Sequence, residues 1–130
     1  MLFFGHRFID GENFYHISSI DAISNTPVSS TVYVDFSEDN LDIIKHAVVN
    51  DVKVALHVED IKSIVYGNAL GVSYLVLDKE LAKTAQNLAD TYLFDSKILV
   101  SIEDEKDIEE LALLGVDGVI CSNAVIKINS

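Results

Sequence analysis

Asp35, Ser37, His57, Glu59, Asp60, Asp78, Lys79, Glu103, Asp104, Ser122 and Asn123 stand at or just beyond the ends of continuous apolar runs. If those runs are parallel strands, these residues line the carboxyl edge of a sheet, where α/β folds bind their ligands. The edge is acidic. Carboxylate oxygens suit a hard divalent cation, so Asp35 and Asp78, with Glu59, make a candidate Mg²⁺ site. His57, Asp78 and His6 are the candidates for catalytic proton transfer.

Each candidate also has a purely structural reading. Ser37, Asp60, Asp78 and Asp104 stand where helices begin, and there side-chain oxygens cap free N–H groups and negative charge suits the helix dipole. His57, one imidazole on an apolar strand, suits a packed, hydrogen-bonded role. Cys121 ends an apolar strand and reads as a structural thiol. The sequence has no glycine-rich phosphate loop, no paired cysteines or His-x-x-x-His ligand set, and no serine nucleophile elbow. No set of catalytic residues is complete. The expected function is therefore a soluble α/β binding or regulatory module without a cofactor. The alternative is a small Mg²⁺-dependent enzyme that processes phosphate or phosphodiester groups at the strand ends.

The elements that position these residues follow from periodicity. TVYVDF (31–36), VALHV (54–58), SYLVLD (73–78), ILVSI (98–102) and GVICS (118–122) are apolar runs suited to parallel strands covered on both faces. Helical spacing lies between them over Glu38–Val49, Asp60–Leu70, Lys79–Tyr92 and Asp104–Leu114. The apolar stripes are Leu41, Ile44, Ala47 and Val48; Ile61, Ile64, Val65 and Ala69; Leu81, Ala85, Leu88 and Tyr92; and Ile108, Leu111 and Ala112.

Residues 52–81 align without a gap on 96–125. Eight identities result: Lys53/Lys97, Glu59/Glu103, Asp60/Asp104, Lys62/Lys106, Ile64/Ile108, Leu70/Leu114, Gly71/Gly115 and Val72/Val116. Each copy reads as βαβ, with its glycine just past a helix end, where a positive φ is wanted. The expected fold is one α/β domain over 1–130 with a five-stranded, mainly parallel sheet and flanking helices. It is either a flavodoxin-like open sheet or half of an α/β barrel, because a full eight-stranded barrel takes about 250 residues. Residues 1–30 form an extension in which Asp10-Gly11 suggests a β-hairpin, and SSIDAIS adds a helical turn.

Composition narrows the partners. Nine Lys plus Arg against 21 Asp plus Glu give a net charge of −12, which repels nucleic acid and anionic lipid. No run of about 18 apolar residues exists for a membrane span. A lone cysteine suits the reducing cytoplasm. A bare sheet face implies cover by a second subunit, so a homodimer is expected, with a protein partner as a further possibility.

Two family resemblances accompany this reading. In layout the chain resembles a response-regulator receiver domain, with Asp35, Asp78 and Ser101 at matching places. It reads VDFSED after the first strand and lacks the Lys-Pro of the fifth, which implies a degenerate receiver-like module. ILVSIEDEKDIEELALLGVDGVICSNAV (98–125) is similar to the closing barrel segment of glycerophosphodiester phosphodiesterases. GHRFIDGEN (5–13) resembles that family's opening elements, which implies site roles for His6, Arg7, Glu12 and Asn13.

Overall fold

A computed structural model describes residues 1–128. Eight strands, β1 (Leu2–Phe4), β2 (Phe14–His16), β3 (Thr31–Asp35), β4 (Lys53–His57), β5 (Tyr74–Leu77), β6 (Lys97–Ile102), β7 (Gly118–Cys121) and β8 (Val125–Lys127), form one sheet. Four helices follow β3 to β6 in turn: α1 (Leu41–Val49), α2 (Ile61–Leu70), α3 (Lys79–Tyr92) and α4 (Lys106–Leu114). Every strand pairing is parallel, in the order β1-β7-β6-β5-β4-β3-β2-β8.

From β7 to β2 this order is consecutive, without the reversal that defines a flavodoxin-like sheet. Right-handed crossovers then put all helices on one face. The buried residues of all four helices, among them Ile44, Ile64, Ala85 and Leu111, join one core with Val34, Leu56, Leu75 and Ile98 of the strands. Phe4, Phe14, Tyr33, Ala55, Tyr74, Val76, Leu99, Ile120 and Ala124 belong to a second core on the opposite face, to which none of the four α-helices contributes.

That second core shows how far the sheet curls. Phe4 of β1 and Phe14 of β2 have ring centroids 4.8 Å apart, yet their strands are six places apart in the order. In a flat sheet those strands would be separated by about 29 Å at the usual spacing. Tyr74, from the middle of the sheet, reaches both rings at 5.6 and 5.3 Å. The architecture is thus the half-barrel alternative, rolled until its inner face closes on itself.

Several expectations are corrected. The sheet has eight strands where five were expected, because β1, β2 and β8 are only three residues each. The β1–β2 and β7–β8 connections carry no α-helix, so eight strands fit within 128 residues. The N-terminal hairpin does not form: β1 pairs with β7, and β2 with β3 and β8. Burial of Phe4 and Phe14 inside the roll outweighs the local turn preference of Asp10-Gly11. The self-covered inner face also removes the bare surface that called for a second subunit.

The two repeat copies fold alike, as β4-α2-β5 and β6-α4-β7, and Gly71 and Gly115 end their helices at φ +89° and +80°. In α2 the buried face is Ser63, Ile64 and Gly67, rotated from the expected stripe, and Ile61 and Val65 are exposed. A Cβ on Gly67 would run into Leu75 Cδ2, so the missing side chain lets this face seat on the sheet. Asp117 braces the second joint: its carboxylate accepts the Ile98 N–H at 2.8 Å, and its backbone N–H donates to Gln86 Oε1 at 3.1 Å.

Gly118 faces the β1–β7 seam. A Cβ there would come 2.8 Å from the Leu2 carbonyl and 2.8 Å from Leu99 Cδ2. Because backbone cannot yield as a side chain can, Gly118→Ala is expected to lose about 1–3 kcal/mol of stability. The check is urea unfolding, with a fall in midpoint.

Candidate functional site

Alternation along parallel strands fixes which side chains meet at the carboxyl rim of the roll. Phe14, Tyr33 and Ala55 belong to the inner core, so His16, Asp35 and His57, two residues further on, also point inward. Register then brings them together, since Asp35 is the Cα partner of His57 and His16 that of Tyr33.

Asp35 stands between the two imidazoles. Its Oδ2 hydrogen-bonds His16 Nε2 at 3.1 Å, and its Oδ1 lies 3.3 Å from His57 Nδ1. Asn40 Nδ2 donates to the Asp35 backbone carbonyl at 2.8 Å and steadies the strand end. The Tyr33 ring lies between the histidines, edge-on to His16 at 5.0 Å and stacked with His57 at 6.2 Å and 19°. Burial, reinforced by the charges of Asp35 and Asp78, pushes the Tyr33 hydroxyl up to about 12. Its proton is therefore held firmly at neutral pH.

This geometry fixes the role of His16. An ionised carboxylate only accepts, so in the neutral ring the His16 proton stands on Nε2 and Nδ1 is left with a lone pair. His57 Nδ1 meets the other carboxylate oxygen as a close polar contact. Beside His57 a cleft of about 500 Å³ is lined by Asp35, Glu59, Asp60 and the hydroxyls of Ser37 and Ser63. No lysine or arginine lines it among the described residues.

The candidate residues are distributed as follows. Asp35 and His57 meet, and Glu59 shares their cleft. Asp78 is near enough to act on the Tyr33 hydroxyl but makes no side-chain cap to its helix. Of the Mg²⁺ candidates Asp35, Asp78 and Glu59, Asp35 lies against two imidazoles; among the described residues no group of three His, Cys, Asp or Glu is placed to hold a metal. His6 lies elsewhere, 3.7 Å from Glu105 Oε1. Lys79 turns away to Asp107 and Glu110 on α4, at 3.1 and 3.5 Å.

Capping accounts for part of the acidic edge. Hydrogen bonds from the Ser63 side chain and from its N–H, the latter at 2.8 Å, hold the Asp60 carboxyl below the usual range, and Asp104 accepts the Lys106 N–H at 2.9 Å. Ser37 makes no such bond. Cys121 is a half-buried thiol pushed up by burial and by Glu105, which suits a structural role rather than a nucleophile.

His16 was missed because FYH was assigned to a hairpin arm. The Phe14/His16 alternation was the available signal, but three residues are too few to display a period. Of the residues that the phosphodiesterase resemblance implies, His6, Arg7, Glu12 and Asn13, the structure sets Glu12 apart from the first two. His6 and Arg7 follow β1 at the carboxyl rim. Glu12 instead accepts from Thr31 Oγ1 at 3.0 Å and Lys53 Nζ at 3.4 Å, where β3 and β4 begin, at the opposite rim.

No helix among the described residues is long and apolar enough to cross a membrane. No protein-family model matches the chain, and no curated protein matches it in sequence. The receiver-like and phosphodiesterase resemblances therefore rest on the quoted segments alone.

The Tyr33 environment can be checked by absorbance titration of tyrosinate. Asp35→Asn or Asp78→Asn should bring Tyr33 down toward the ordinary value near 10, with Tyr33→Phe assigning the transition. Because the folded-state value lies above the free one, neutral Tyr33 contributes stability fully below about pH 10. That contribution is lost as pH rises to about 12, so alkaline melting should be shallower in Tyr33→Phe.

Proposed function

We propose that the protein is a non-catalytic binding or regulatory module that takes a small organic cation at the carboxyl rim, in the cleft beside His57. The observation that carries this reading is the lining of the cleft: Asp35, Glu59, Asp60 and His57, with no lysine or arginine among the described residues. A primary ammonium group supplies the N–H donors that the carboxylates of Asp35, Glu59 and Asp60 accept. The net charge of −12 favours cation approach at long range.

The test is a thermal melt with millimolar ethanolamine or putrescine, on the intact protein and on Asp35→Asn and Glu59→Gln. A ligand that binds the native state raises the melting temperature by mass action. The expected result is a rise in the wild type that both substitutions reduce. No rise with either amine overturns the reading. A rise with Mg²⁺ alone, abolished in Asp78→Asn, would replace it with the phosphate- or phosphodiester-processing alternative.

Self-association as a homodimer belongs to the same proposal on a new ground. Val49, Tyr92, Leu93 and Leu113 are strongly exposed at the carboxyl ends of α1, α3 and α4, and helix direction puts those ends around the amino rim, away from the cleft. Apolar side chains gathered this way favour contact with another protein surface. Sedimentation at micromolar concentration is expected to give a dimer, and Leu93→Ser with Leu113→Ser a monomer.

A further inference from the structure

His6 sits in a second cleft on the carboxyl rim, of about 440 Å³, between the ends of β1, β6 and β7. Its side chain is only 8% exposed, packed edge-on to Phe3 at 5.8 Å and against Phe8 at 5.1 Å. The Phe8 N–H donates to His6 Nδ1 at 3.1 Å, so in the neutral ring the proton stands on Nε2. Nε2 stands 3.7 Å from Glu105 Oε1, beyond hydrogen-bond reach. That leaves its N–H free to donate to a molecule that enters the cleft.

The walls around it are built. Arg7 forks onto Glu105, with Nε at 2.7 Å and Nη2 at 3.2 Å, and its guanidinium lies 4.2 Å over the Phe8 ring. This clamp ties the loop after β1 to the turn that starts α4. Opposite it, Asn123 approaches the end of β1 so closely that a Cβ on Gly5, where φ is +81°, would lie 2.7 Å from its Oδ1. Ser122 completes that wall with a hydroxyl.

We propose that this cleft is a binding site for a neutral polyhydroxylated molecule of about monosaccharide size. Donors and acceptors alternate around it, with His6 Nε2 and the Asn123 amide nitrogen donating and Glu103 and the Asn123 carbonyl accepting. Hydroxyl groups do both. Anions are disfavoured by Glu103, Asp104 and Glu105, against which only Arg7 stands, already committed to Glu105. Phe8, 72% exposed beside the cleft, offers an apolar surface for the C–H face of a sugar or polyol.

The test follows the ring nitrogens of the ¹⁵N-labelled full chain in long-range ¹H–¹⁵N spectra during titration with glycerol, sorbitol and methyl glucoside. Inorganic phosphate and methylammonium serve as comparison probes. The expected result is a saturable shift of His6 with sorbitol or methyl glucoside while His16 and His57 stay still, weakened about tenfold by Asn123→Ala or Ser122→Ala. No saturable shift of His6 with any of the three polyols overturns the proposal. So does a His6 response to phosphate or methylammonium at lower concentration than to the polyols, or polyol binding that both substitutions leave unchanged. Since the amine cleft is read through His57 and this one through His6, either can fail without the other.

Discussion

Three aromatic rings meeting inside the roll are the constraint on which the rest depends. Phe4, Phe14 and Tyr74 come from strands at positions one, seven and four of the sheet order, and their centroids lie 4.8 to 5.6 Å apart. A full α/β barrel fills its interior with layers of branched side chains from longer strands. Here β1 and β2 contribute three residues each, too few for ladder hydrogen bonds alone to hold them. Large rings supply the missing volume, and offset or edge-on contact adds to their burial. Small residues fit the remaining space: Ala55 is fully buried in that layer, and Gly118 lets β1 come against β7.

Rolling the sheet turns the polar ends of its inner face into two rims with different fates. At the amino rim Glu12 binds Thr31 and Lys53, and Thr31 is fully buried, so the polar groups satisfy one another. At the carboxyl rim Asp35 has two imidazoles but remains about half exposed. The helices explain the contrast. Each enters from the carboxyl side, so its first-turn N–H groups and their capping carboxylates gather there, and the rim is both polar and open.

The middle of the chain was legible in its sequence because each signal there is local and strong. Strands β3 to β7 are unbroken apolar runs, and Gly71 and Gly115 stand at helix ends where positive φ is required. The ends of the chain were not. FF, FYH and VIK are too short for a period, and Asp10-Gly11 is a turn signal that long-range burial overrides. The face of α2 has the expected period and a different phase: Ser63 and Gly67 are buried, while the larger Ile61 and Val65 lie at the surface. In α3 Leu81, Ala85 and Leu88 meet the core as expected, Ala82 and Ala89 join them, and Tyr92 stays at the surface. Close approach of helix to sheet rewards small side chains, which a count of large apolar residues overlooks.

The acidic edge shows why residue type and spacing located a site without defining its chemistry. Asp35, Asp60, Asp78 and Asp104 follow strands in the same way, yet Asp60 and Asp104 cap helices, Asp35 orients two histidines, and Asp78 does neither. What separates them is inner-face parity combined with lateral register. Asp35 is the one whose neighbours on both sides, β2 and β4, end in an inward histidine. That coincidence requires β2 to lie beside β3, a pairing that depends on Phe14 being held in the roll. The His16–Asp35–His57 cluster is in this sense a product of the aromatic interior, since a chain that lost the Phe14 contact would keep every charged residue and lose their convergence.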